Sequence, residues 1–199
     1  MLTEKYLNII KDRREGLRRD LAPLFPGPAA RDFTWEVGCG HGHYLTDYAA
    51  AHPGELCVGI DLLADRIVRA NRKRDRARAA NLHFLQAEAR LFLSELPAAA
   101  RIGRLLLLFP DPWPKARHHK HRILQADFLS AVAGRAAPGC RFYFRTDFAP
   151  YLEEGRTALA GHPRWEVVDE PFPFERETVF QARAPTFGSC VARLRDGGH

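Results

Sequence analysis

A short segment of the chain, P-D-P-W at residues 110–113, holds one acidic side chain between two prolines. Proline fixes its own φ and restricts the residue before it, so we expect Asp111 to lie on a stiff, extended loop. A carboxylate held in one place can accept hydrogen bonds from a ligand or stabilise positive charge that develops on it. Trp113 offers a flat face to a planar ring. A structural proline turn that buries this tryptophan is the alternative interpretation.

The segment that follows is rich in cations and histidines. Its basic side chains are Lys115, Arg117, Lys120 and Arg122, and its histidines are His118, His119 and His121. Lysine and arginine neutralise phosphates, and the net charge of +6 agrees with a polyanionic partner such as nucleic acid. A solvated basic surface is the alternative. We predict no metal site, because the H-H-x-H pattern has no carboxylate or thiolate near it in sequence.

A second group of candidate residues surrounds the glycine loop E-V-G-C-G-H-G at residues 36–42. Its three glycines permit a tight strand-to-helix turn and a close approach of the backbone to a ligand. Asp61 ends the next predicted strand, where an acidic side chain typically accepts hydrogen bonds from ribose hydroxyls. The spacing E-x-G-x-G-x-G differs from the dinucleotide fingerprint G-x-G-x-x-G. It resembles motif I of class I S-adenosylmethionine-dependent methyltransferases, so we favour that cofactor over a nicotinamide dinucleotide.

Elements of two kinds alternate along the chain and must position these residues. Apolar, β-rich runs predict strands at residues 33–38, 55–61, 81–89, 104–110, 140–147, 165–170 and 190–196. Helical patterns cover residues 1–22, 43–52, 62–81, 90–97, 123–139 and 150–163, the fifth of these closed by a Pro-Gly pair. In the helix over 62–81 we expect Leu63, Ile67, Val68 and Ala70 on one apolar side.

Strands that alternate with helices indicate an α/β fold with a Rossmann-like, doubly wound sheet. We expect a mostly parallel sheet with an antiparallel strand near the C-terminus. Ligands of such sheets bind beyond the carboxyl ends of the strands. The acidic candidates fall at those ends: Glu36, Asp61, Glu88, Asp111 and Asp147.

The composition predicts one globular domain over residues 1–199, with a basic helix and linker at 1–30. Hydrophobic residues make up 46% of the chain. No apolar run approaches the roughly 20 residues that span a bilayer, and the N-terminus has no apolar signal core. The four cysteines form no C-x-x-C pair, so we expect buried free thiols and a cytoplasmic protein. The basic stretches 11–19 and 66–78 either extend an RNA-binding surface or form solvated helix faces.

The run FPDPWPKARHHKHRIL at residues 109–124 resembles the signature of the bacterial tRNA (guanine-N7-)-methyltransferase family. The resemblance extends from WEVGCGHG through NLHFLQAEA and RTDFAPY to the carboxyl end. It implies an S-adenosylmethionine-dependent enzyme that methylates N7 of a guanine in the tRNA variable loop. The implied partner is tRNA, with no membrane and no obligate protein partner, and the chain is expected to be a monomer or a homodimer.

The same resemblance assigns roles to residues of this sequence. The stiff loop at the end of the fourth predicted strand would hold Asp111 beside the reacting methyl group, so we expect it to be the catalytic residue. The implied cofactor contacts are Glu36, Gly38, Gly40, Gly42, Asp61, Glu88 and Asp111. The implied substrate contacts are Lys115, Arg117, Lys120, Arg122, Asp147, Thr178 and Gln181, with residues 117–122 facing the RNA backbone.

The chain departs from the family pattern near its carboxyl end. The family closes with T-x-[FY]-E, whereas this chain reads Thr178-Val179-Phe180-Gln181. An amide keeps an acceptor oxygen but loses the charge and adds a donor, which affects guanine recognition rather than cofactor binding. Two alternatives follow. The chain is a methyltransferase of the same fold that acts on another RNA base or substrate, or it is a catalytically impaired tRNA-binding homologue.

Overall fold

Strands and helices alternate as the hydrophobic pattern predicts. The computed structural model describes residues 4–175 and 186–195. The helices are α1 (Glu4–Leu21), α2 (His43–Ala51), α3 (Ala64–Ala77), α4 (Ala89–Glu95), α5 (Ala126–Ala133) and α6 (Ala149–Gly161). The strands are β1 (Arg31–Val37), β2 (Leu56–Asp61), β3 (Leu82–Gln86), β4 (Ala100–Leu108), β5 (Ala136–Thr146), β6 (Trp165–Val168) and β7 (Gly188–Leu194). Short 3₁₀ helices cover Ala22–Leu24 and Ala116–His121.

The described strands form one sheet in the order β3-β2-β1-β4-β5-β7-β6. The first five strands in chain order run parallel, and β7 is antiparallel to both β5 and β6. This confirms the predicted α/β fold with an antiparallel strand near the C-terminus. The strand order reverses between β1 and β4, which are hydrogen-bonded neighbours. Such a reversal opens a crevice at the carboxyl ends of the two strands, where doubly wound folds bind ligands.

Strand β4 is covered on both faces, as its run of leucines predicts. Leu105 and Leu107 pack into the core on one side of the sheet, with Trp35 of β1 and Phe92 of α4. Leu106 packs into the core on the opposite side. All three leucines are almost fully buried. A strand buried on both faces has little freedom to shift, so it carries the loop after Leu108 to a defined place at the sheet edge.

Two sequence expectations were wrong, one about the end of a helix and one about the apolar side of another. The helix predicted over 123–139 ends at Ala133, and its Pro-Gly pair lies inside β5. The register between β4 and β5 shifts at this point, and Gly139 has a φ of 70°, so an irregularity accommodates the pair. Of the four residues expected on one apolar side of α3, Ile67 and Ala70 are buried, but Val68 is 49% exposed and Leu63, which precedes the helix, is 53% exposed. Successive helical residues point about 100° apart, so Ile67 and Val68 do not share one face.

Burial of the cysteines agrees with the prediction of free thiols. Cys39, Cys57, Cys140 and Cys190 are all buried and form no disulfide.

Among the helices within residues 4–175 and 186–195, none combines the length and apolar character needed to cross a bilayer.

Candidate functional site

The glycine loop connects β1 to α2 at the sheet reversal, as predicted. Gly38, Gly40 and Gly42 all have positive φ, between 54° and 73°. Gly42 has a second constraint, because a Cβ there would lie 2.5 Å from the ring of Phe84 and 2.9 Å from Ala70. Only glycine therefore lets α2 begin this close to β3 and α3.

Replacing Gly42 with alanine is expected to destabilise the protein by about 2–4 kcal/mol, because a bulk clash adds to a strained φ. Thermal unfolding measures the effect. Gly54→Ala is the matched control, since that glycine lies at a φ that other residues adopt and its Cβ would meet nothing within 4 Å. Equal stability of the two variants would contradict the assigned packing role of Gly42.

Asp61 lies at the carboxyl end of β2 and is 5% exposed. One carboxylate oxygen accepts a hydrogen bond from the amide of Gly40 at 3.1 Å and from Arg66 at 3.3 Å. The other accepts from the amide of Leu63 at 2.9 Å. Asp61 thus ties the glycine loop to the start of α3. Leu62 and Leu63 beside it are 64% and 53% exposed, so an apolar surface adjoins the carboxylate.

Glu36 lies near the carboxyl end of β1, the strand at which the sheet order reverses. Its side chain is buried, and its Oε2 has no hydrogen-bond partner within the described residues. Burial is the main cause, and the negative charge of Asp61 the second, of a pKa of Glu36 that is raised to about 8. A buried carboxyl oxygen without a partner is costly, and it is suited to a cationic donor such as an ammonium group. Together with Asp61, it fits a ligand that has a ribose and a positively charged amino tail.

Glu88 follows β3, as predicted, but it already has a structural role. Its Oε2 accepts a hydrogen bond from the amide of Leu91 at 2.8 Å, so it caps the N-terminus of α4. The residue is exposed at the same sheet edge as Asp61. One carboxylate oxygen therefore holds the helix, and the cap fixes the direction of the side chain.

The loops after β4 and β5 leave the sheet side by side. The amide of Phe109 donates to the carbonyl of Arg145 at 2.7 Å, which continues the ladder between the two strands by one step. Asp111 lies two residues after Phe109, and Asp147 lies two residues after Arg145. Both aspartates are exposed. The ladder therefore brings two carboxylates to the carboxyl edge of the sheet, and the loop of Asp111 follows the strand next to β1, from which the glycine loop leaves.

Trp113 is partly exposed and belongs to a surface cluster of rings. It is 37% exposed, and its ring lies 5.8 Å from that of His118 and 5.1 Å from that of His121. The alternative of a buried tryptophan is thus wrong.

Within residues 4–175 and 186–195, no three histidine, cysteine, aspartate or glutamate side chains are grouped so as to hold a metal ion.

The basic tract, residues 115–122, does not form one uniform surface. Lys115, Arg117 and Lys120 are exposed, as phosphate-contacting side chains must be. Arg122 is not, because its side chain is 1% exposed and forms an ion pair with Glu154 of α6. The expectation that Arg122 faces an RNA backbone was wrong, since its guanidinium is turned into the protein and bound there.

Arg145 is a residue of this region that sequence reasoning missed. Its guanidinium is buried between two rings, with its carbon 3.8 Å from the ring centre of Phe172 and 4.8 Å from that of Phe187. It also donates to Glu175 at 3.0 Å. These contacts join β5 to the chain on both sides of residues 176–185. Only its position in the otherwise apolar run FYFRT could have drawn attention to it.

Two predicted substrate contacts, Thr178 and Gln181, lie outside the described residues. Their assigned roles remain predictions, as does the consequence of an amide at Gln181.

Comparison with known proteins gives consistent matches over most of the chain. The sequence model of a family described as "putative methyltransferase" matches residues 30–186. A tRNA (guanine-N(7)-)-methyltransferase of Streptomyces coelicolor is 35% identical over 147 residues, which are 74% of this chain and 54% of that protein. A tRNA (guanine-N(7)-)-methyltransferase of Mycobacterium avium is 31% identical over 186 residues, with 86% of this chain and 72% of that protein covered. The match thus spans between about half and three quarters of these relatives.

A solved structure extends the comparison to the fold. The antibiotic-resistance methyltransferase Kmr superposes with a TM-score of 0.60 and 23% identity, and the match covers 91% of this chain and 94% of that one. At this level of identity the likeness concerns the fold alone.

Proposed function

Because the chain belongs to the family of the tRNA (guanine-N7-)-methyltransferases, we propose that it transfers a methyl group from S-adenosylmethionine to N7 of a guanine in the variable loop of tRNA. One observation carries the proposal. The glycine loop and the loop of Asp111 leave neighbouring strands at the sheet reversal, so a cofactor and a base would meet there.

The residues of the crevice fit the parts of this cofactor. The Oε2 of Glu36, which has no partner among the described residues, would accept from the amino group of the methionine moiety. Asp61 would hold the ribose hydroxyls, with the exposed Leu62 beside the adenine. Glu88 lies one strand further along the same edge, where its remaining acceptor capacity would serve the adenine. When bound, the cofactor supplies an electrophilic methyl group on a sulfonium.

The chemistry requires alignment more than proton transfer. Guanine N7 carries a lone pair and no proton, so it attacks a methyl group without a general base. The protein's task is then to hold the base in line with the methyl group and to keep it there. The methylated purine gains positive charge, and the carboxylates of Asp111 and Asp147 would stabilise that charge.

The same carboxylates would select guanine over adenine. They can accept hydrogen bonds from N1–H and the amino group of guanine, whereas adenine offers an acceptor at N1. The base must leave its stack to reach the crevice, and the half-exposed ring of Trp113 is a surface on which it would lie. Buried free thiols are typical of proteins in a reducing compartment, which agrees with an enzyme that modifies tRNA in the cytoplasm.

The direct test is to incubate the protein with labelled S-adenosylmethionine and unmodified tRNA transcripts. The modified nucleotide is then mapped by borohydride and aniline cleavage, which breaks the chain at N7-methylguanosine. We expect one cleavage site in the variable loop. Label in a different base would instead support a methyltransferase with another target. Tight tRNA binding without transfer would support an impaired binding homologue, in line with the amide at Gln181.

Removing an exposed cation of the basic tract is expected to weaken tRNA binding in a salt-dependent way. Lys115→Ala or Lys120→Ala should each reduce the slope of log Kd against log salt concentration by about 1, because one phosphate contact is lost. Filter binding over a range of salt concentrations measures the slope. Arg101→Ala is the control, since this exposed cation pairs with Asp32 at the opposite edge of the sheet. An equal slope change in the control would contradict the assignment.

A further inference from the structure

Arg122 differs from the other cations of its tract because the protein buries it. Lys115, Arg117 and Lys120 are exposed, whereas the side chain of Arg122 is 1% exposed. A buried guanidinium is stable only when its charge is paired and its donors are bonded. The contacts that bury the Arg122 guanidinium therefore indicate its role.

The guanidinium of Arg122 joins three parts of the structure. It forms an ion pair with the carboxylate of Glu154 in α6. Its Nε donates to the carbonyl of Pro112 at 2.8 Å, and Nη2 lies 3.4 Å from the carbonyl of Trp113. It also lies over the ring of Tyr151, with its carbon 4.8 Å from the ring centre. The P-D-P-W loop is thus tied to α6 through one side chain.

The two carbonyls that Arg122 binds flank a strained residue. Trp113 has a φ of 42°, a left-handed conformation that is costly for a bulky side chain. Such a conformation persists only where the surroundings hold it. The carbonyl of Pro112 belongs to the peptide before Trp113, and the carbonyl of Trp113 to the peptide after it. Fixing both peptides fixes the backbone of Trp113.

We propose that Arg122 is a positioning residue that holds Trp113, and through Pro112 also Asp111, in the place needed for methyl transfer. The proposal rests on the proposed function for its effect on rate, but not for its effect on the loop. Arg122 then supports turnover without touching RNA. Its loss should lower kcat and leave the salt dependence of tRNA binding unchanged, which is the reverse of what a phosphate-binding arginine would show.

The test uses Arg122→Lys, because lysine keeps the charge but cannot reach a carboxylate and two carbonyls at once. We expect kcat to fall about 10²-fold, as for a displacement of about 1 Å at a reacting group. The Kd for tRNA and its salt slope should stay as in the wild type. Arg101→Lys is the matched control and should keep full activity. Glu154→Gln removes the charge partner from the α6 side and should show a smaller loss of the same kind.

A second readout follows the loop itself. Trp35 and Trp165 are fully buried, so acrylamide quenching of the tryptophan fluorescence reports mainly on Trp113. We expect both Arg122→Lys and Glu154→Gln to change the quenching constant while the thermal transition is retained. Unchanged quenching with unchanged kcat would overturn the proposal, and so would a salt slope reduced by about 1. If the wild type methylates no tRNA, the proposed function fails, and quenching alone still decides the role of Arg122.

Discussion

Asp111→Ala is expected to lower the rate of methyl transfer to tRNA by about 10²–10³-fold, the usual cost of removing one preorganised group that stabilises transition-state charge. The carboxylate stands exposed at the end of a strand that is buried on both faces, next to the sheet reversal. Within residues 4–175 and 186–195 its side chain forms no hydrogen bond with the core, so the fold and the affinity for tRNA should stay close to those of the wild type.

Single-turnover kinetics with labelled S-adenosylmethionine separate this loss from slow product release. Asp111→Asn adds information, because the amide keeps an acceptor oxygen but not the charge. A rate between those of the wild type and Asp111→Ala would show that charge and hydrogen bonding both contribute. Asp32→Ala is the control, since this exposed aspartate lies at the opposite edge of the sheet. Full activity of Asp111→Ala would remove Asp111 from the site.

Glu36→Gln is expected to weaken cofactor binding about 10- to 100-fold, because a charge-assisted hydrogen bond at a buried site is lost. The pKa of Glu36 is raised to about 8, first by burial and then by the charge of Asp61. In the free protein at pH 7 the group is therefore mainly protonated. A cationic amino group favours the carboxylate, so binding should release a proton and affinity should rise with pH up to about 8.

Calorimetry in two buffers of different ionisation enthalpy measures the released proton. Glu36→Gln should lose the part of the release that comes from this side chain. Glu166→Gln is the control, because that glutamate pairs with Arg193 on the outer strands of the sheet. Proton release that is the same in wild type and Glu36→Gln would show that Glu36 does not meet the cofactor.

The same group affects stability, and the direction follows from its pKa. The pKa of Glu36 is raised in the folded protein above its ordinary value of 4.5. Its contribution to stability is therefore intact below about pH 4.5 and is lost as the pH rises towards 8. Glu36→Gln removes this loss. The stability of the variant relative to the wild type should increase between pH 5 and pH 8, as measured by denaturant unfolding.

Much of the fold could be predicted because its signals are local. Glycine at three positive-φ positions and proline around Asp111 act on their own backbone, so the two loops were visible in the sequence. The leucines of β4 indicated a strand buried on both faces, and Leu106 indeed faces the core opposite to that of Leu105. Strands alternating with helices then imply a doubly wound sheet, whose carboxyl edge collects the acidic residues.

Other features depend on contacts between distant parts of the chain. In the sequence Arg122 looks like one more cation of a basic tract. In the structure its side chain is buried and pairs with Glu154, which lies 32 residues later. Arg145 is likewise defined by rings that lie far along the chain, at Phe172 and Phe187. The sequence shows that an arginine is present at each of these positions. Whether water or a buried partner surrounds it is decided only when the helices pack, because desolvation of a guanidinium depends on every group that closes over it.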